Sequence, residues 1–368
     1  MFARTTRMLA GTAVVAGLVW MTAARTGVTA AVPDEGPALQ SIGPMTFGPG
    51  GVLFAADTTG ATIYALDLGT QAAGGREGAA DVANIDQKIA AMLGTDAASV
   101  RVTDLVIHPK THNAFISVMR GTGADAKPAL LRVDGAGTIA PIAIDKLQYT
   151  KVALSNAPVP GTDARRNPRA DAITDMAYVD GKLIVAGLSN EEFASKLRAF
   201  AYPFASADPG TSVEIFHGNH GQLETRAPVY TFIPYTIDNK AYVIASYTCT
   251  PLVRFPMDSL KGSKVVGTTI AELGAGNRPL DMLLYKKDGK EYLLMSNNSR
   301  GVMKIPTDTF ATASAITAPV ASETAGVAYE TIASMKGVEQ LDQLDAQNSI
   351  VIARGDAGAL NLQVVPLP

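Results

Sequence analysis

Six stretches of this chain repeat one pattern. A short apolar strand leads into a turn with Asp, Gly or Asn. A second apolar strand, a polar gap and a third strand carrying a basic or polar residue follow. The copies are PMTFGPGGVLFAADTTGATIYALDL from Pro44, TDLVIHPKTHNAFISVMRG from Thr103 and TDMAYVDGKLIVAGL from Thr174. They continue with YTFIPYTIDNKAYVIASYTCTPLVRFP from Tyr230, LDMLLYKKDGKEYLLMSNNSRGVMKIP from Leu280 and VEQLDQLDAQNSIVIARGDAGALNLQVV from Val338. A strand-built repeat of roughly 50–70 residues is the pattern of a β-propeller blade, which buries its faces only by stacking on its neighbours. The chain is therefore predicted to be all-β, a six-bladed β-propeller.

The connections between copies refine this expectation. Asn84 to Leu93 places Ile85, Ile89 and Leu93 at four-residue spacing and stops at Gly94, which predicts a short amphipathic helix inserted between blades one and two. Ser155 to Ala170, with its Pro and Gly and the Arg165-Arg166 pair, reads as an exposed irregular loop. The last copy ends after its third strand at Val364-Val365, and ALQSI from Ala38 precedes the first blade. The N-terminal segment is thus predicted to close the last blade as its outer strand, removing free sheet edges.

Residues 1–31 read as a cleaved signal peptide. Arg4 and Arg7 precede the uncharged run Met8 to Met21, and Val28-Thr29-Ala30 offers small residues for cleavage. An anchor needs about 20 apolar residues, and Arg25 interrupts this run. Residues 32–368 are then one propeller domain, periplasmic or extracellular, with no membrane span in the mature form. The formal net charge is −3 and no basic block occurs, which excludes nucleic acid as a partner. A single Cys rules out an internal disulfide, and a lone thiol in an oxidising compartment calls for a reason.

The segments IGPMTFGPGGVLFAADTTGATIYAL and NRPLDMLLYKKDGKEYLLMSNNSRGVMKI resemble blades of the NHL and SMP-30-like six-bladed propeller group. Those families pair an R-P-x-x-hydrophobic strand with a D-G-x-hydrophobic and an N/D-x-G-x-hydrophobic strand. The resemblance covers most of the mature chain as a blade pattern. In SMP-30-like enzymes it implies a Glu, an Asn and an Asp at the top of the channel, holding a divalent metal that activates water. Here Ile42-Gly43-Pro44 stands where the Glu of an E-G-P element is expected, a departure that weighs against lactonase activity.

Blade topology assigns loops to faces. The loop entering a first strand and the loop between strands two and three share one end, the top. His217 and His220 (HGNHG) precede the first strand of the fourth repeat, and Cys249 (YTCTP) lies between its second and third strands. All three are predicted on the top face. Two imidazoles and a thiolate suit copper or zinc better than calcium, with Gly218 and Gly221 letting the backbone bend around a ligand. The plainer alternatives are surface polar residues and a small buried hydrophobe. Asp104, Asp175 and Asp281 each begin a first strand and form a second candidate set, for calcium. Their alternative role is to accept backbone N–H bonds there. Arg278, Asn297, Asn298, Arg300 and Arg120 are candidates for binding a carboxylate or phosphate ligand, as Asn190 and Glu191 are for other top-face contacts. Their alternative is solvated loop polarity. His108 and His112 fall in a bottom turn. Tyr230, Tyr235 and Tyr247 cluster around the fourth repeat, as core or as a pocket wall.

No G-x-S-x-G, C-x-x-C-H, P-loop or dinucleotide fingerprint occurs. Three functions follow as expectations. The first is a propeller binding a metal, copper or zinc, or a small-molecule ligand on its top face. The second is a non-catalytic adaptor for a periplasmic protein partner. The third is an SMP-30-like divalent-cation-dependent hydrolase.

Overall fold

Near-continuous apolar runs such as LFAA at Leu53 and AFISVM at Ala114 lie at the centre of their sheets, buried on both faces. The computed structural model describes residues 36–161 and 167–368. The expected signal segment and the Arg165-Arg166 pair lie outside them. Six sheets form, numbered here as blades I to VI in the order of their first strands. Blade I comprises Met45–Phe47, Leu53–Asp57, Thr62–Asp67 and Gln148–Ala153. Blade II comprises Val100–Ile107, Ala114–Arg120, Lys127–Val133 and Ile139–Pro141. Blade III runs from Asp175–Val179 through Lys182–Leu188 and Ser195–Ala201 to Thr211–His217, with Gln222–Glu224 outside. Blade IV is Thr231–Ile237, Lys240–Ser246, Pro251–Pro256 and Thr268–Leu273, edged by Thr324–Gly326. Blade V is Pro279–Lys287, Lys290–Asn297, Gly301–Pro306 and Glu330–Thr331. Blade VI is Val338–Gln343, Asn348–Arg354 and Leu360–Pro366.

The apolar cores lie between blades and show their order around the ring. One core joins I to II and another I to III. Others join III to IV, IV to V and V to VI. The last joins VI to II, through Ile350 and Ile352 on one side and Leu105 and Ile116 on the other. Blade II therefore sits between VI and I. The chain leaves blade I after Thr62–Asp67, builds blade II on the far side, and returns with Gln148–Ala153 as the outer strand of blade I.

This corrects the expected closure. ALQSI forms no strand of blade VI. The Asp57 carboxylate accepts the Gln40 and Ser41 N–H groups at 2.9 Å and pins the segment to blade I. The outer edge of blade VI is met instead by Val82, whose N–H donates to Leu362 O at 2.9 Å and whose carbonyl accepts the Leu362 N–H at 3.0 Å. The Asp81 carboxylate takes the Val364 N–H at 2.7 Å. The expected helix is present as Ile85–Leu93, stopped by Gly94 at φ 66°. Its Ile85 and Ile89 are fully buried in the seam between VI and II, so truncating either to Ala costs about 2–5 kcal/mol.

Asp104, Asp175 and Asp281 act at the blade joints. Each accepts the N–H of its next residue through Oδ1, and an N–H of an adjacent blade through Oδ2. The donors are Met45 at 2.5 Å, Phe232 at 2.8 Å and Leu341 at 2.8 Å. Asp342 clamps the closing joint in the same way, taking the Ile107 N–H at 2.7 Å. The preceding Thr103 and Thr174 hydroxyls donate to Ile42 O and Val229 O of the same neighbouring blades. The Thr-Asp dipeptide is thus a two-point fastener between blades. These carboxyls are poorly hydrated at the blade joints, and burial pushes Asp175 up to about 7 and Asp342 up to about 6. Burial, together with the neighbouring carboxylates, raises Asp104 and Asp281 as well.

His108 and His112 are structural. His108 is buried against Phe47, ring centroids 5.0 Å apart, and its Nδ1 accepts the Thr111 N–H. The His112 Nδ1 meets Leu344 O at 3.0 Å across the seam to blade VI.

Candidate metal centre and channel mouth

His217 ends the outer strand of blade III rather than leading into blade IV, and HGNHG turns that strand back into Gln222–Glu224. Fourth strands end on the top face, so the histidines still face the loop that carries Cys249. Gly221 closes the turn at φ 65°. Gly218 is needed for close approach: its N–H donates to Glu272 Oε1 at 2.6 Å, and a Cβ there would stand 2.9 Å from Ile316.

The three predicted residues meet. One ligand atom from each of His217, His220 and Cys249 lies within 4.8 Å of the others. Cys249 Sγ is 3.9 Å from His220 Nε2, and the two imidazole centroids are 4.0 Å apart. Cys249 and Thr250 both hold left-handed backbone, φ 63° and 50°. For a β-branched Thr this conformation is strained and must be held by its surroundings. The restraints are Cys249 N–H to Asn277 O at 2.7 Å, Thr250 N–H to Tyr247 O at 2.9 Å, and a hydroxyl bond from Thr250 to Asn277. Asn297 adds a bond to the same hydroxyl at 3.0 Å. The thiol also receives the Gly276 N–H at 3.4 Å.

Two carboxylates flank the histidines. Glu224 sits below both rings, with His220 Nδ1 at 2.5 Å from Oε1 and His217 Nδ1 at 3.1 Å from Oε2. The His217 imidazole first, and then His220, draws the Glu224 carboxyl down to about 2. Glu272 is fully buried and burial raises it; its Oε2 lies 3.6 Å from His217 Nε2. His217 is 1% exposed, yet neither ring nitrogen has an aligned hydrogen-bond partner. Its contact with Glu224 has ion-pair distance without hydrogen-bond direction. A buried imidazole left so is costly unless something else takes its lone pair.

A metal fits this donor set. In a tetrahedral zinc site, ligand atoms stand about 3.3–3.5 Å apart, so the 3.9 Å between Sγ and Nε2, and separations of up to 4.8 Å within the set, would have to shorten on binding. A thiolate and two neutral imidazoles leave a fourth position open. Glu224, bonded to His220 Nδ1 and at ion-pair distance from His217 Nδ1, is placed as the outer carboxylate that histidine ligands usually have. The signal for Glu224 was in the sequence, as H-x-x-H-x-x-x-E, but its meaning depends on the hairpin register. Glu272 has no local signal, because it arrives from another blade.

The second feature is a funnel of about 900 Å³ at the top of the central channel. Arg278, Asn297 and Asn298 line it, as expected, joined by Arg101 and Tyr230. The structure does not bring Arg120 or Arg300 there. Arg120 donates to Leu93 O at 2.8 Å and caps the helix, and Arg300 pairs with Glu323. Asn190 and Glu191 stand on the outer rim of blade III, where Glu191 pairs with the buried Lys196 at 2.6 Å. Tyr230 is a funnel wall, Tyr235 packs on Phe310, and Tyr247 is buried between blades III and IV.

No family model and no curated protein matches the chain. Among solved structures it is similar to the soluble aldose sugar dehydrogenase of Escherichia coli in its apo form. That match has 10% identity, covers 89% of this chain and 97% of that chain, and gives a TM-score of 0.39. It is also similar to a GH43 glycoside hydrolase with an engineered active site, at 12% identity over 69% of this chain and 48% of that one, TM-score 0.33. Bacteroides ovatus xyloglucan PUL GH43B gives 12% identity over 73% and 52%, TM-score 0.33. The chain spans about half the length of the latter two.

Proposed function

We propose that this propeller binds a transition metal, zinc or copper, on its top face through His217, His220 and Cys249. The observation that carries the reading is a fully buried His217 with two unsatisfied ring nitrogens, converging with a second imidazole and the chain's one thiol. Glu224 would hold both imidazoles with their Nδ1 protons toward it, leaving Nε2 on each for the metal. The negative field of Glu224 and Glu272 favours a dication. When bound, the metal supplies Lewis acidity or, as copper, redox capacity at an open coordination position. The strained Cys249-Thr250 turn, held by Asn277 and Tyr247, keeps the thiol aimed at the two histidines. We read residues 1–31 as an export signal, so the lone thiol would work in an oxidising compartment, where a bound metal protects it from oxidation. The occupied hydrogen bonds of Asp104, Asp175 and Asp281 support a fastening role for them over a calcium site.

The test is elemental analysis by mass spectrometry of the full chain, purified without chelator or polyhistidine tag and then reconstituted. Near-stoichiometric zinc or copper, lost in Cys249→Ala and His220→Ala, supports the reading. Metal content equal in wild type and variants refutes it, and would turn attention to a partner-binding role for the same face.

A further inference from the structure

We propose that the funnel at the channel mouth is a second ligand site, separate from the metal centre, which takes a small molecule bearing a carboxylate or phosphate group. Its volume, about 900 Å³, lies within the range of small-molecule pockets, roughly 300–1,000 Å³. The charge of its wall is opposite in sign to that of the whole chain. Four cations line it against three carboxylates, on a protein of formal net charge −3. Two of the cations are neutralised on blade VI: Lys336 pairs with Asp356 at 2.8 Å, and Arg354 holds Glu339 at 2.6 and 3.0 Å. Arg101 of blade II and Arg278 of blade V have no ion pair among the described residues. They flank blade VI from either side.

Arg278 is set up for recognition. Its guanidinium lies 4.6 Å from the Tyr230 ring centroid, and its backbone N–H donates to Asn298 Oδ1 at 2.8 Å. The cation–π contact holds the guanidinium against the ring, and among the described residues no hydrogen bond occupies its N–H groups, which can receive an oxyanion through two parallel bonds. The remaining carboxyl, Asp171, lies outside ion-pair distance of Arg278; burial raises it and the Arg278 charge opposes that rise. Thr103 and Thr174, whose hydroxyls tie neighbouring blades together, form part of the funnel wall. The hydroxyl- and amide-rich wall suits a hydroxylated body behind the acid group.

Calorimetric titration of the full chain with gluconate, glucose 6-phosphate and glucose tests this. Binding of one or both acids, with no binding of glucose, is expected; which acid binds separates a carboxylate from a phosphate ligand. Arg278→Ala and Arg101→Ala should each weaken it about 10–100-fold, the worth of a charged hydrogen bond. Arg278→Lys keeps the charge but loses the fork, and should weaken binding while leaving the fold intact. Chelator-treated protein should bind equally well, which keeps this result apart from that of the metal centre. No acid bound at millimolar concentration, or equal binding by wild type and the Arg278→Ala/Arg101→Ala double variant, overturns the proposal.

Discussion

Replacing Glu224 by Gln leaves the shape of the proposed metal site intact and removes the one group that serves both imidazoles. A carboxylate accepts from His220 Nδ1 at 2.5 Å and faces His217 Nδ1 at 3.1 Å. A Gln side chain has one carbonyl oxygen to offer; its NH₂ must confront the other Nδ1 proton. Loss of an outer carboxylate usually weakens metal binding about 10–100-fold. Because two ligands lose orientation here, the upper end applies, about 100-fold or roughly 2.7 kcal/mol. The assay is competition for zinc against a chromophoric chelator near neutral pH, with urea unfolding of the metal-free proteins as the control for folding. Zinc affinity within about threefold of wild type, at equal stability of the metal-free forms, would refute the assignment of Glu224 to both rings. The same carboxyl has a separate acid signature. Its folded value of about 2 lies below the ordinary 4.5, so the stability it contributes is present above 4.5 and is lost as pH falls toward 2. Glu224→Gln should flatten that limb.

Other consequences are open to direct measurement. Asp175, raised to about 7, and Asp342, raised to about 6, bind protons in the fold that the unfolded chain has already released, so stability should fall as pH rises from about 4 to 7. Urea titrations at about pH 5.5 and 8 should differ by about 2 kcal/mol from Asp175 alone, and Asp175→Asn should remove that part of the slope; an unchanged slope would contradict the burial argument. Zinc at about 100 times its dissociation constant should add roughly 2.7 kcal/mol of stability, reversed by chelator, and a melting temperature indifferent to zinc would count against the site. Val82→Pro deletes the N–H that closes blade VI and should cost about 2 kcal/mol or more relative to Val82→Ala, read from urea midpoints. Equal midpoints would mean that the seam does not depend on this bridge.

The units of this fold were legible in the sequence, but their arrangement around the ring was not. Each blade rests on local patterning, which a repeat displays openly. Which blade stands beside which depends on cores such as Ile350 against Ile116, and on a strand, Gln148–Ala153, whose neighbour lies 81 positions back from Gln148 at Asp67. The long insertion before blade II was the only hint of that detour. The meeting of His217, His220 and Cys249 could be reasoned out because strand alternation assigns loops to faces, whatever the blade order. Glu272 could not, since it reaches His217 through the pairing of Lys264–Val266 with the blade III edge and the bond from Gly267 N–H to Glu214 O. The aspartates show a different limit. Their position at strand starts was evident, but choosing between cation ligand and backbone acceptor required seeing the N–H groups of the next blade.

Blade II's place between VI and I bears on how the chain is made. During synthesis from the N-terminus, the side of blade II that bears Leu105 and Ile116 has at first only the preceding segment with Val82, Ile85 and Ile89 to pack against. These two residues emerge long before Ile350 and Ile352, which cover them. Blade I likewise waits for residues 148–153 before its edge is covered. The nascent chain therefore carries a partly uncovered apolar face on its second repeat until residues 350–352 have been added, a period in which such a surface invites association with other chains. Removing the final repeat would leave that face bare for good, so the propeller has no shorter version reachable by trimming its C-terminus.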